Sequence, residues 1–413
     1  MKVLIFTNHF WPENFRINDL ALGLVEKGHE VTVISSIPNY PEGKYFPGYG
    51  VFKKRWENYR GINIRRIPII PRGNGSSIRL FINYISSAVS FCLHAPFVGR
   101  KKYDVIFIFE TSPATIGLPA VIVKWLYRIP IVLWVLDLWP ESLSATGAVK
   151  NKGILAVIKQ SIRLIYSNSD RVLVSSRGFR QSIEAIGGYR GTIDYFPNWV
   201  EPEIVSPNGC QAPKIELPNG FRILFTGNVG AAKDFESIIA SADMLRNHQD
   251  IHWLIVGNGR MMDWVREEVE KRGLEKQFHL LGRYPLESMS YFYSVADALL
   301  LPLRKDPIFE LTAPGKLQSY MSAGLPILAA LDGEGANIVS EAGCGVVCNA
   351  SDPASLTAGI LSLVQMSATE RQEMGRAGAK FCSTHFCRET LFDELERTLL
   401  TISGRENCSK NLR

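Results

Sequence analysis

Short, largely apolar runs punctuate the chain at 3–7, 31–35, 62–67, 105–109, 130–136, 171–175 and 192–196. They recur at 222–226, 251–256, 278–281, 298–301 and 325–328. Runs of this length, bounded by Gly, Pro, Asn and Asp, predict buried strands. Between them lie segments of helical period, among them 15–27, closed by Gly28, then 116–127 and much of 352–402. The alternation predicts α/β domains with parallel sheets, whose ligands sit beyond the carboxyl ends of the strands. Residues 37–61, rich in Pro, Gly, Tyr and Lys, read as one long loop, and 201–220 as a linker. The domains that follow are 1–200 and 221–385, with a last helix at 386–403 and a disordered tail from Gly404.

Residues 80–98 carry no formal charge over 19 positions, enough to span a bilayer. Asn83, Ser87, Ser90 and His94 fall at helical spacing on one stripe, and Arg72, Arg79, Arg100, Lys101 and Lys102 flank the segment. A strand at 105–109 follows at once. This predicts an apolar helix docked on its domain with part of its face at a membrane surface; a core helix is the alternative.

The stretch 298–330 carries the most chemistry. Its strand leads into a polar loop, 302–313, where Arg304, Lys305 and Asp306 stand together. Thr312 can cap a helix and Pro314 suits its first turn. Gly315 admits a ligand close to the backbone. Lys316 then falls in the first turn, where a cation opposes the helix dipole unless an anion sits there too. An ordinary αβ unit with a stray lysine is the bland alternative. Gly-rich turns of phosphate-compatible form follow three strands, at Gly227-Asn228-Val229-Gly230, Gly257-Asn258-Gly259 and Gly282-Arg283. No G-x-G-x-x-G follows the first strand, which tells against an NAD enzyme. In the first half, Asp137 ends the strand at 130–136, where a carboxylate points into the ligand crevice or caps a helix. Glu13, Asn14 and Arg16 lie in and just beyond the loop after the first strand.

The 413 residues are 46% hydrophobic and 21% charged, which suits two water-soluble domains. The net charge of +6 hides an asymmetry: residues 1–200 sum to +12 and the remainder to −6. A basic first half suggests an anionic partner, nucleic acid or lipid, with a bland surface imbalance as the alternative, and no nucleic-acid recognition motif is present. The seven cysteines lack metal-ligand spacing and read as reduced thiols of a cytoplasmic protein; the apolar run at 3–6 is too short for a signal peptide.

Met321, Ala323-Gly324 and Pro326, taken with the Gly-rich turns, resemble the nucleotide-sugar half of family 4 glycosyltransferases. The resemblance extends over about residues 1–400. The Pro-Gly-Lys-Leu-Gln-Ser-Tyr-Met form is similar to a subgroup from bacterial O-antigen and capsule clusters that includes N-acetyl-L-fucosamine transferases. The resemblance implies an α/β GT-B fold, two facing Rossmann-like domains with a cleft between them, the last helix packing back on the first. It implies a catalytic set of Asp137, Lys233, Lys316 and Glu310, with Lys233 meeting donor phosphates and Asn228 standing where the family has an Arg. Gly227, Asn228, Gly257, Arg283, Thr312, Gly315, Leu317 and Ser319 would bind the nucleotide sugar. Glu13, Asn14 and Arg16 would lie on the acceptor side. Two departures stand out. Ser319 and Leu311 occupy the positions of the family's two glutamates, and Leu136 that of its His before Asp137. The implied reaction is retaining transfer of an N-acetylated amino or deoxyamino sugar from a UDP-sugar to a polyprenyl-diphosphate-linked acceptor. It would run at the inner face of the cytoplasmic membrane, without metal, other cofactor or nucleic acid. A nucleotide-sugar epimerase of the same architecture, or an inactive membrane-associated nucleotide-sugar-binding module, are the alternatives.

Overall fold

The computed structural model describes residues 1–73, 76–100, 102–145, 151–205, 213 and 215–405. The chain divides into two compact units, Met1–Pro197 with Glu389–Arg413, and Asn198–Arg388. The described part of the expected linker thus belongs to the second unit. The expected disordered tail lies, from residue 406, outside the described residues.

The first unit holds strands β1 (Lys2–Thr7), β2 (Glu30–Ser36), β3 (Trp56–Tyr59), β4 (Ile62–Ile67), β5 (Val105–Glu110), β6 (Ile131–Val135), β7 (Arg171–Val174) and β8 (Ile193–Tyr195). Their order is β3-β4-β2-β1-β5-β6-β7-β8, parallel throughout except for the β3–β4 pair. Every residue of β5 and β6 is buried, which is why these strands read as unbroken apolar runs. The order reverses between β1 and β5, the place where such sheets open a ligand crevice. The long loop expected over 37–61 is shorter than predicted. Its end, Trp56–Tyr59, pairs as an edge strand with partial exposure all along it, so it has no apolar run to reveal it.

The helix Ser77–Val98 buries two polar residues on the same face as Phe91, Ala95 and Val98. Asn83 and Ser87 are buried, Asn83 Nδ2 donating to the Ile70 carbonyl at 2.6 Å and Ser87 Oγ to Asn8 Oδ1 at 3.4 Å. Ile78, Phe81, Ile82, Ile85, Val89, Leu93 and Phe97 are exposed. Pro96 sits inside the last turn of the helix.

The second unit holds β9 (Phe221–Asn228), β10 (Ile251–Asn258), β11 (Phe278–Gly282), β12 (Ala298–Pro302), β13 (Ile327–Ala330) and β14 (Gly345–Cys348), all parallel in the order β11-β10-β9-β12-β13-β14. This is the doubly wound order, with its switch point between β9 and β12. Successive residues feed opposite cores. Leu224 and Leu254 pack with Tyr320 and Met321, while Phe225 and Ile255 pack with Ile239 and Trp253. The β9–β12 ladder pairs only Ile223 with Ala298 and Leu224 with Leu299, and then stops.

Candidate functional site

Beyond that short ladder the helix Leu317–Ser322 takes over. Tyr320 Oη accepts the Thr226 N–H at 2.9 Å, satisfying a donor that the ladder leaves unpaired. One turn earlier Lys316 Nζ donates to the Thr226 carbonyl. Two residues four apart, on one helix face, thus hold the end of β9. Lys316 is the residue preceding the helix rather than a member of its first turn, and the helix is only six residues long. Its ammonium lies 5.8 Å from the Phe225 ring centroid and occupies the volume a Cβ at residue 227 would need. Gly227, at φ +132°, is therefore required by the chain's own packing. Gly257 is required for the same kind of reason, since a Cβ there would overlap the Gly227 carbonyl.

Lys233 ends a single 3-10 turn, Ala231–Lys233, after β9. Burial pulls its ammonium down to about 8. Burial, then the charge of Lys233, pulls Lys316 down to about 7, against an opposing pull from Glu201. The two lysines converge at the switch point. Both side chains are partly exposed, and each charge there disfavours the other.

The other predicted residues fall differently. Gly315 is open, with nothing within 4 Å of where a Cβ would stand, and Asn228, Arg283 and Glu310 are exposed. Thr312 is not a helix cap. Asp306 caps a short helix, Pro307–Glu310, by accepting from Ile308 N, and the Thr312 hydroxyl donates back to the Ile308 carbonyl at 2.7 Å. Leu317 is fully buried among the apolar side chains of the second unit, so its side chain serves the core and not a ligand. Ser319 is 3% exposed, and its hydroxyl donates to Glu201 Oε2 at 2.5 Å.

A second polar centre lies at the switch point of the first unit. Glu13 is buried and committed internally. One carboxylate oxygen accepts from Asn39 N and Tyr40 N at 2.6 Å each, and the other meets His9 Nδ1 at 2.8 Å. His9 stacks on Phe15 at 4.6 Å, and Arg72 Nη2 approaches its Nε2 at 3.1 Å. Arginine only donates, so Nε2 accepts and Nδ1 donates to Glu13. Glu13 thus sets the tautomer of His9, whereas Asn14 is exposed and Arg16 opens the helix Arg16–Glu26. Asp137 accepts from the Ser112 and Ser142 hydroxyls. Glu110, at the end of β5, is fully buried with neither carboxylate oxygen hydrogen-bonded. Burial, and then the neighbouring Asp137, raise its pKa well above the usual carboxylate range. Sequence reasoning passed over Glu110 and Glu201, and took Arg72 only as a cation flanking the apolar helix. Glu110 closes an apolar run, and the other two are joined to their partners only by tertiary structure. Among the described residues no group of three His, Cys, Asp or Glu side chains is placed to hold a metal ion.

Family profiles cover most of the chain. A Glycosyl transferase 4-like domain matches residues 14–199, and Glycosyl transferases group 1 matches residues 212–381. The chain is a glycosyltransferase of the GT4-like type. This glycosyltransferase is 27% identical to the probable glycosyltransferase WbjE of Pseudomonas aeruginosa over 277 residues, 65% of its own length and 68% of that protein. It is 26% identical to the putative colanic acid biosynthesis glycosyl transferase WcaI of Escherichia coli K12 over 345 residues, 78% and 82% of the two chains. Among solved structures, Anabaena HepE in complex with UDP and glucose superposes with a TM-score of 0.67 at 13% identity, over 97% of this chain and all of that one. The glycosyltransferase has the GT-B type of α/β fold, built from two parallel-sheet Rossmann-like units.

Proposed function

We propose that the glycosyltransferase moves a sugar from a UDP-linked donor to a lipid-linked, polyprenyl-diphosphate acceptor, in assembly of a bacterial surface polysaccharide. The sugar is an N-acetylated amino or deoxyamino sugar, transferred with retention at the inner face of the cytoplasmic membrane. The observation that carries the donor half is the pair Lys233 and Lys316 at the switch point of the second unit. Breaking the anomeric bond leaves charge on a diphosphate. Two desolvated ammonium groups fixed in advance stabilise that charge where it develops. The reading assigns this role to the lysines and not to a metal ion. HepE, which shares the fold, is solved in complex with UDP and glucose, which supports the choice of nucleotide.

The acceptor half rests on the helix Ser77–Val98. Its exposed apolar stripe runs from Ile78 to Phe97, about 28 Å at the rise of an α-helix. Arg79, Arg100 and Lys102 stand at its ends. Its inner face is packed against the helix Gly117–Tyr127, and 28% of the apolar window is buried. A helix held on one side by its own domain suits the plane of a lipid surface, with cations meeting anionic headgroups.

The test is nucleotide release from a panel of UDP-sugars, with and without a polyprenyl-diphosphate-linked N-acetylhexosamine in detergent. Release that depends on acceptor and is lost in Lys316→Ala supports the reading. Isomerised UDP-sugar without release points to an epimerase, and tight UDP binding without turnover to an inactive module.

A further inference from the structure

Two more helices share the layer that holds Ser77–Val98. Gly117–Tyr127 packs along it, and Lys152–Asn168 packs in turn against Gly117–Tyr127. The joints are specific. Tyr127 Oη donates to the Pro96 carbonyl at 2.5 Å. Trp125 Nε1 donates to Asn168 Oδ1 at 2.8 Å, and a Cβ at Gly117 would overlap Ile165. The outward side of this layer is apolar. The middle helix carries Leu118, Ile122 and Trp125 at i, i+4 and i+7; the first two are half-buried and Trp125 is 59% exposed. In Lys152–Asn168 the buried side chains are Ile162, Ile165 and Tyr166, while Ile154, Val157 and Leu164 stay outside. Leu164 lies one turn before Asn168, which holds the Trp125 indole, so the exposed apolar side of this helix is the side turned toward Trp125. More than half of the large apolar side chains exposed among the described residues stand on these three helices, and only Met244 and Val347 lie in the second unit. An apolar patch of that extent on a folded domain marks an interaction surface.

Charge indicates the partner. Lys152–Asn168 contains Lys152, Lys159 and Arg163, all exposed, and no acidic residue. Their spacings of seven and four gather them on a flank of their own. With Arg79, Arg100 and Lys102 at the ends of Ser77–Val98, both outer helices border the apolar belt with cations. Apolar and purely cationic sides on one helix suit an anionic lipid interface, and an indole suits the headgroup boundary. We infer that the three helices together form the lipid-facing surface of the first unit, with Trp125 at headgroup depth and the Ile154–Leu164 side of the third helix inserted beside the first. The layer packs on β4, β5 and β6. The strands then run along the membrane plane, and the crevice at their carboxyl ends opens beside the headgroups, where the diphosphate of a polyprenyl lipid stands.

The inference rests on the lipid reading of Ser77–Val98 and extends it to two helices which that reading does not use. Flotation of the full chain with phosphatidylglycerol–phosphatidylcholine vesicles tests it, together with quenching of tryptophan emission by brominated acyl chains. Val157→Glu with Leu164→Glu is expected to weaken vesicle binding by about tenfold or more, since each position gives up the burial of an apolar side chain. Both positions are exposed, so the melting curve of that variant should stay in place. Brominated lipid is expected to quench a share of the wild-type emission that Trp125→Phe lacks. Suppose instead that Leu93→Glu weakens binding while the Val157/Leu164 variant binds as wild type and Trp125→Phe is quenched as much as wild type. The three-helix surface is then overturned, and lipid contact by Ser77–Val98 alone stands. A dimer in sedimentation that Val157→Glu dissociates, with vesicle binding unaltered, makes a second copy of the chain the occupant and also overturns the inference. Folded wild-type protein that floats with no anionic vesicle sinks the lipid reading, and this inference with it.

Discussion

Lys316 and Lys233 hold charges that burial disfavours, at about 7 and about 8. A diphosphate reverses that balance, since it interacts with the protonated form. The sign follows: UDP affinity is greatest where both lysines are charged and falls as pH rises through 7 to 9, approaching tenfold per pH unit for each lysine that titrates. Calorimetry in buffers of different ionisation enthalpy should show proton uptake on binding near pH 8. Lys316→Arg, which stays charged, should flatten the lower part of the decline. Affinity that climbs with pH would remove the lysines from the site. For turnover, Lys233→Ala should lower kcat by about a hundredfold to a thousandfold, the usual effect of deleting one preorganised group at a developing charge. Both lysines were singled out in the sequence, Lys233 from the Gly227 turn at a strand end and Lys316 from the Pro314-Gly315 pair ahead of a helix. The reason for the glycine was not: Gly227 reads as a place for phosphate, while the structure shows it making room for the Lys316 ammonium. Nor was the His9–Glu13–Arg72 contact, whose members lie up to 63 positions apart and carry no shared spacing.

For the elements, period was readable and direction was not. Asn83 and Ser87 sit at helical spacing, and the pattern alone leaves open which face they take. The structure turns them inward, where Asn83 supplies the donor for the Ile70 carbonyl that no ladder reaches. Phe91, Ala95 and Val98 are buried with them, and the apolar positions from Ile78 to Phe97 on the other faces are left outside. Two substitutions separate these faces. Asn83→Ala removes a part-buried hydrogen bond to the Ile70 carbonyl and should cost about 0.5–1.5 kcal/mol in chemical denaturation. Leu93→Glu alters an exposed position and should change stability by about 0.5 kcal/mol or less. It should nevertheless weaken binding to phosphatidylglycerol-containing vesicles in a flotation assay. Vesicle binding unchanged by Leu93→Glu and Val89→Glu together would take the membrane off this face. The edge strand β3 was missed for a related reason. A strand with partial exposure all along it shows no apolar run, and its identity comes from pairing with β4.

At the scale of the whole molecule, the chain's end returns to its beginning. The sequence reading gave the last segment as a helix, and its return to the first domain rested on resemblance. In the structure Glu389–Arg413 belongs with Met1–Pro197. Two kinds of interaction hold it. Lys27 pairs with Asp393 and Glu396, and His29 Nε2 meets Glu396 at 2.9 Å. Leu391, Phe392, Leu395 and Leu399 are buried. Magnitudes decide between them. Lys27–Asp393 is a solvent-exposed pair of the kind that contributes little. Four buried apolar side chains contribute about 1.5–3 kcal/mol each, together comparable to the whole stability of a typical domain, about 5–15 kcal/mol. Lys27→Ala should therefore leave the melting curve nearly unchanged, while Leu395→Ala should cost about 2–5 kcal/mol. A chain stopped after Arg388 should lose hydrogen-exchange protection in β1, β2 and β7 yet keep it in β9 and β10, because only the first unit loses part of its core. Equal loss in both sheets would show that the helix supports the second unit as well.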